Sequence, residues 1–495
     1  MVTSPERRYA LVVPALWTCA GGLIAIYLVL FVLCAANRLA QPLEELTYGE
    51  SWLLDGARQV ARGGGLYAPA DRLPLMQIAY TPLYYLLVGG LQRVVGDSGY
   101  TLGRLVSLFA TLTGTAALAS SIRRLTGRWR YGLLAAGLFL TQNLTLLLWS
   151  SQHRVDPLAL GLSLVGLAFF TYSRSTTAAV FFVLAFFTKQ TFVVAPIAAA
   201  ITLWPCRPAL LRFGAVMLVG IAGGIGLAQW LSHGWFWWHV VTTNANEPDL
   251  TTFAILMGSF LQFNGLPAIT ALASLLLPSV QGERIWRVYF VGTLLTLGSI
   301  AKLGASSNYW LELTAATAVL LALAAWHLTH WPAARLVAPT FVLGALLIAV
   351  PGYQATAVEV TQAIGDRLNP PTPRYLSLVS DVGAAAYRVD AGFVDFVAKQ
   401  PGELLTDNSG LAVAAGKPVM YEFQIFQLLQ AEGHWSEQPI LDAIAARRFS
   451  LVALMHPLDG PTDGTRWSPR LRGALEAAYA PDGDQAGFWL YRPRS

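Results

Sequence analysis

The first 353 residues are cut into hydrophobic blocks of 14 to 27 residues, separated by short joints that are charged or rich in Gly, Pro and Asn. A helix rises about 1.5 Å per residue and a bilayer core is about 30 Å thick, so blocks of this length suit a membrane. The core of a soluble domain has no need of them. Across all 495 residues, 55% of side chains are hydrophobic and only 12% charged, too few charges to cover a soluble surface of that size. The fold class expected is therefore an α-helical polytopic membrane protein with about eleven crossings, followed by a small C-terminal α/β domain.

Candidate crossings are residues 11–36, 101–122, 131–149, 157–173, 175–188, 191–204, 210–231, 252–278, 288–301, 309–328 and 335–353. The start, MVTSPERRYA, has the basic character of a signal peptide, but the apolar run after it is too long for one and reads as a retained helix. With the N-terminus in the cytoplasm, twelve basic residues fall inside, from Arg7 and Arg8 through the RRLTGRWR cluster to Arg335. Seven fall outside: Arg38, Arg58, Arg62, Arg72, Arg154, Lys189 and Lys302. That bias follows the positive-inside rule. It holds only where residues 79–95 form an interfacial or half-inserted helix rather than a crossing. It also needs a break at Lys189 and Gln190, because one long helix would bury a lysine in hydrocarbon at about 2.5–3.5 kcal/mol.

The net charge of +5 comes from arginines at helix ends, so it does not argue for nucleic acid. Cys19, Cys34 and Cys206 are too scattered for a disulfide framework or a metal site. Beyond about Tyr353 the hydrophobic blocks stop. ELLT, KPVMY, FSLVAL and GFWLY read as strands, and helices are expected near 393–399, 423–431, 438–447 and 468–479. The domains expected are residues 1–353, a transmembrane catalytic part with its first outer loop at 37–78, and 354–495, a soluble extracytoplasmic α/β part.

Five stretches can carry chemistry. The loop PLEELTYGESWLLDGARQVARGGGLYAPADRLPLMQIAYTPLYYLL concentrates Glu44, Glu45, Glu50, Asp55 and Asp71, which otherwise read as the solvated face of an interfacial helix. In SSQHRVDPLALG, Arg154 and Asp156 open a helix, and Asp156 before Pro157 also suits an N-cap. FFTKQTFVVAP supplies Lys189 and Gln190, and GASSNYWLEL supplies Asn308, Tyr309 and Glu312. The loop LSHGWFWWHVVTTNANEPDLTTF reads as an aromatic belt, or as a groove lining with Asn246, Glu247 and Asp249 reaching the site. His153, His233, His239, His327 and His330 read as structural.

Acids after the first helix, a Gly-rich turn with LY, and the run YTPLYYL resemble the class C, multi-spanning glycosyltransferases, in particular the protein O-mannosyltransferase and lipid A aminoarabinose transferase group. Glu50 stands thirteen residues before Gly63, where that group has its acidic pair, but Gly49 occupies the place of the usual Asp. The resemblance covers most of residues 1–353. It implies transfer of a sugar, of mannosyl or arabinosyl type, from a polyprenyl-phosphate donor to an acceptor hydroxyl on a lipid, polysaccharide or protein at the outer face of the cell or inner membrane. The catalytic residues it implies are Glu50, Glu45 and Asp156, with Glu50 as base. Lys189, Arg154, Gln190 and Lys302 would hold the donor phosphate. Tyr80, Tyr84, Asn308, Tyr309 and Glu247 would line the groove. No cofactor follows from the pattern; a divalent cation, Mg or Mn, would find oxygen ligands in Glu50 and Asp156. The competing class is a secondary transporter with a midplane site at the broken helices 175–204, against which stand the lack of an internal repeat and the acidic loop.

Overall fold

The computed structural model describes residues 5–47, 49–142, 144–245, 247–302, 304–331, 334–368, 375–378, 387–460 and 466–495. Along the chain lie α1 (Pro5–Leu39), α2 (Glu50–Ala61), α3 (Leu83–Val95), α4 (Thr101–Thr126), α5 (Trp129–Thr141), α6 (Leu144–Ser150), α7 (Val155–Thr171) and α8 (Ser175–Thr188). They are followed by α9 (Val194–Leu203), α10 (Arg207–Leu231), α11 (Trp235–Val240), α12 (Leu250–Ser274), α13 (Arg284–Leu295), α14 (Leu311–Thr329), α15 (Val337–Ile348) and α16 (Val350–Leu368). The C-terminal part runs β1 (Tyr375–Leu378), β2 (Tyr387–Asp390), α17 (Ala391–Lys399), β3 (Glu403–Thr406), α18 (Ser409–Ala414), α19 (Phe423–Ala431), α20 (Gln438–Ala445), β4 (Phe449–Leu454), α21 (Pro469–Ala478), β5 (Tyr479–Gln485) and β6 (Phe488–Pro493).

The chain forms two compact units. One comprises Met1–Arg38, Arg104–Gly226 and Asn246–Ile364, and the other Leu39–Gly103, Leu227–Ala245 and Gly365–Ser495.

The first unit is a helical bundle. Five helices of the described chain are long and apolar enough to cross a membrane: Leu11–Leu39, Thr101–Thr126, Arg207–Leu231, Leu250–Ser274 and Ser307–Thr329. A sixth is counted when Val337–Ile348 and Val350–Val358, bent by 46°, are taken as one broken span. The other segments expected to cross hold shorter or interrupted helices, such as α5 with α6 and the pair α8 and α9. α10 shows why lipid is needed: Leu211, Leu218 and Val219 are each about 70% exposed, which water would penalise and hydrocarbon does not. Inside the bundle, small residues let backbones approach. A methyl group added at Gly161 of α7 would meet the Ala110 carbonyl oxygen of α4 at 2.5 Å, so only glycine fits there.

The break expected at Lys189 is present. α8 ends at Thr188, Lys189 is extended (φ −151°, ψ 117°) and α9 starts at Val194. One local expectation is corrected: α7 starts at Val155 with Arg154 at its N-cap, so Asp156 is not the capping residue.

The second unit carries a four-stranded sheet in the order β3-β4-β6-β5, with β3 and β4 parallel and the other pairs antiparallel. β1 and β2 form a separate antiparallel pair. ELLT, FSLVAL and GFWLY are strands as expected, and helices lie at the four expected places. KPVMY is corrected, because only Tyr421 pairs, through an isolated bridge to Leu75. Pro418 lacks an N–H to donate to a ladder, and the segment meets the loop after α2 instead of the sheet. Leu75 N donates to Met420 O at 2.9 Å, Glu422 N donates to Leu75 O at 3.0 Å, and Trp435 Nε1 donates to Ala70 O at 2.7 Å. Ala70 and Leu75 thereby join the core built by Leu405, Phe426, Ile440, Val452 and Leu475. α3, from the ambiguous stretch 79–95, is 13 residues long and buries Tyr84, Tyr85, Val88 and Gln92 while exposing Leu86, Val94 and Val95.

Candidate active site

In the bundle unit, loop-facing helix ends gather polar side chains at one end. Asp156, in the first turn of α7, accepts from Lys189 Nζ at 2.6 Å and from Asn308 Nδ2 at 2.9 Å, both on Oδ1. Asp156 is 1% and Lys189 5% exposed, so the ion pair is buried. A buried pair must recover its desolvation through close geometry, and a second donor on the same carboxylate helps it do so. Lys189 also sits 5.3 Å from the centroid of the Tyr309 ring. The sequence brings these groups together by the extended residue after α8, the start of α7, and a short 3-10 turn at Ser307–Trp310 that leads into α14.

Arg154 lies beside this group, its guanidinium 5.3 Å from the Trp149 ring, while Trp149 Nε1 donates to Ser307 Oγ at 3.0 Å. At the same end of the bundle, Arg38 donates to Leu148 O and Ser151 Oγ, and Arg104 donates to Arg38 O at 2.8 Å. Sequence reasoning did not single out Arg38 and Arg104 as site residues; two arginines at the ends of apolar helices were the available signal. Glu312, one turn beyond Asn308, accepts from the Tyr289 hydroxyl at 3.0 Å.

Two nominated residues of this unit stay apart from the group. Lys302 lies in the loop before the 3-10 turn, and Glu247 is exposed; among the described residues neither has a hydrogen bond to Asp156, Lys189 or Asn308. Gln190 is half-buried in the helix break. Asn246 lies outside the described residues.

In the second unit, Glu45 and Glu50 are 1% and 0% exposed. Glu45 Oε1 accepts from Gly49 N and Ser51 N, both at 3.0 Å, and from Ser51 Oγ at 2.8 Å. Glu50, the first residue of α2, accepts from Leu46 N at 2.7 Å. The two carboxylates thus lace the loop reciprocally, and Gly49 closes it with φ 97°, a conformation glycine adopts without strain. Asp55, on the next turn, is pushed up from the ordinary carboxylate range by burial, against the hydrogen bond from Gln59 at 3.0 Å. Tyr84 is fully buried and donates to Gly103 O at 3.3 Å, a packing position, and Tyr80 is half-buried with its carbonyl accepting from Tyr67.

The same unit holds a polar seam that sequence reasoning missed. His239 is 1% exposed; its Nδ1 accepts from Ile78 N at 3.1 Å and its Nε2 lies 2.8 Å from Ala68 O. Only the neutral ring protonated at Nε2 serves both partners. Burial pushes its pKa down to about 4. Glu422, 3% exposed, accepts from Gln77 N at 3.3 Å, and burial lifts its carboxyl well above the usual range. Of the aromatic run, Phe236 is buried, Trp235 and Trp238 pack on the domain core, and Trp237 is half exposed, so most of these rings fill a seam.

Among the described residues no three of His, Cys, Asp and Glu converge to hold a metal ion.

No protein-family model matches the chain, and no curated protein sequence does. Two crystal structures do share its fold: ArnT from Cupriavidus metallidurans bound to undecaprenyl phosphate, and the same protein in the apo state. Both superpose with a TM-score of 0.62. The bound form is 12% identical, with 95% of this chain and 97% of that one covered; the apo form is 13% identical, with 95% and 98% covered. The protein therefore has an ArnT-like fold: a helical membrane bundle with a small C-terminal α/β domain.

Proposed function

We propose that this protein is an integral-membrane glycosyltransferase that moves a sugar from a polyprenyl-phosphate donor to an acceptor hydroxyl at the outer face of the membrane. The observation that carries the reading is a buried Lys189–Asp156–Asn308 group at one end of a bundle whose fold, over 95% of the chain, is that of a protein crystallised with undecaprenyl phosphate. The transporter reading drew on the same broken helices, and the ArnT-like fold supports the transferase instead.

In the reaction the bond between the sugar's anomeric carbon and the phosphate oxygen breaks, a bond from that carbon to the acceptor oxygen forms, and the acceptor proton goes to a carboxylate. Polyprenyl phosphate leaves with an added negative charge. Lys189, held in place by Asp156, is the group assigned to that charge, and the planar fork of Arg154 is assigned to further phosphate oxygens. Asp156 fixes the lysine and Asn308 fixes Asp156. Glu50 is assigned as the base, with Glu45 holding the turn that presents it. Residues 37–78 and 354–495 take the outer side in this scheme, with the C-terminal domain positioning the acceptor.

The test presents radiolabelled undecaprenyl-phosphate sugars, mannosyl and arabinosyl, to membranes with and without the protein. Labelled acceptor is expected only with it. Glu50→Gln keeps an oxygen for Leu46 N but loses proton affinity, so transfer is expected to vanish at unchanged insertion. An active Glu50→Gln enzyme would remove the assigned base.

A further inference from the structure

The hydroxyl of Ser51 stands between two partners. It lies 2.8 Å from Glu45 Oε1 and 2.7 Å from the hydroxyl of Ser409, 358 positions along the chain at the start of α18. Glu45 Oε1 already accepts two backbone N–H groups, so it is an acceptor toward Ser51 as well. Ser51 has one proton and gives it to Glu45. The second bond then runs from the Ser409 hydroxyl to the Ser51 oxygen, and the three groups form a one-way chain that ends on the carboxylate. Donation into Ser51 polarises its O–H and strengthens the bond to Glu45.

We propose that Ser409 of the C-terminal α/β domain is a positioning residue: through Ser51 it fixes Glu45, and through Glu45 the left-handed turn at Gly49 that sets Glu50 at the head of α2. The chain of contacts is continuous, because Gly49 N and Ser51 N both bond the same Glu45 oxygen. Ser409 is not needed to hold the domain in place. Arg58 NH1 donates to Val413 O at 2.9 Å, and Leu54 packs in one core with Leu411, Ala412 and Val413, so α2 and α18 stay docked when the hydroxyl is removed. The consequence for catalysis rests on the reading of Glu50 as base; the consequence for the loop does not.

The experiment uses the full-length protein in lipid nanodiscs and compares Ser409→Ala, Ser409→Thr, Ser51→Ala and the double alanine variant. Amide exchange at Gly49 and Ser51 is expected to quicken about fivefold in Ser409→Ala, to return in Ser409→Thr, and to show no further change when Ser409→Ala is added to Ser51→Ala. Turnover of the labelled undecaprenyl-phosphate sugar is expected to fall roughly threefold to tenfold in kcat at constant donor KM, with the same rescue and the same non-additivity. Unchanged exchange in Ser409→Ala, or an equal loss on top of Ser51→Ala, would overturn the proposal. Should the exchange pattern hold while Glu50→Gln remains active, the positioning chain stands and the assignment of the base falls.

Discussion

The two acidic clusters differ in the donors that meet their carboxylates. Asp156, in the helical bundle, accepts among the described residues from two side chains, an ammonium and an amide that converge from stretches far apart in sequence. Glu45 and Glu50 accept from backbone N–H groups within six residues of themselves, and Glu45 also from the Ser51 hydroxyl. A carboxylate tied to local amides depends on the turn that presents them, whereas one tied to a lysine loses its counter-charge in a single substitution. The bundle cluster should therefore answer to changes in charge and the loop cluster to changes in turn geometry.

The largest effect expected is on the bundle cluster. Lys189→Ala takes the counter-charge from buried Asp156, and removing one partner of a buried pair costs about 3–5 kcal/mol. Thermal unfolding in detergent should drop accordingly, with Leu184→Ala as a packing control. The neutral pair Lys189→Met with Asp156→Asn should recover most of the loss. An equal loss in the single and paired variants would mean that the lysine acts through packing and would erase the contrast.

Next comes the seam of His239 and Glu422, which belongs to the loop-bearing unit yet answers to charge. Because His239 titrates at about 4 when folded and near 6.5 when unfolded, the unfolded chain binds more protons between those values. Stability should fall by about 3 kcal/mol as pH drops from 6.5 to 4. Glu422 works the other way: its raised carboxyl holds a proton that the unfolded chain has lost, so its contribution fades as pH rises above the ordinary carboxylate range. Glu422→Gln should raise the melting temperature at pH 8 and leave it nearly unchanged at pH 4. A variant that melts lower at pH 8 would show that the charged form is the one stabilised.

The smallest effect sharpens the comparison within the bundle. Asn308→Ala removes one hydrogen bond to a charged acceptor and should cost about 1.5 kcal/mol while leaving the Lys189–Asp156 pair formed. A loss as large as that of Lys189→Ala would make the amide, rather than the ion pair, the element that holds Asp156.

What the sequence revealed follows the same division. The break at Lys189 was readable because a charge interrupts a run that would otherwise span a membrane, and no packing information was needed. Asp156 meets Lys189 and Asn308 and does not cap α7, since the Asp-Pro signal for a helix start does not specify which way the carboxylate turns. Asn308 and Tyr309 join the cluster; Lys302, six residues before Asn308, does not, because the 3-10 turn at Ser307 reorients the chain between them. Contacts that close over hundreds of residues left no local trace. Ser51 with Ser409, Gln77 with Glu422 and Leu75 with Tyr421 each require the C-terminal domain to fold together with the loop after α1. KPVMY is no strand for that reason: its Tyr421 bridges to Leu75 of a distant loop instead of a neighbouring strand.

The central claim is that Lys189 serves the phosphate of a polyprenyl donor rather than merely neutralising Asp156. Binding of undecaprenyl phosphate to the purified protein, measured by native mass spectrometry for the wild type and for the paired Lys189→Met, Asp156→Asn variant, separates the two roles, because the variant keeps the fold and loses the cation. The account predicts binding weakened by at least about tenfold, the equivalent of one charge-assisted contact. Equal affinity in the two proteins would contradict it and would leave the pair as a lock at a helix break.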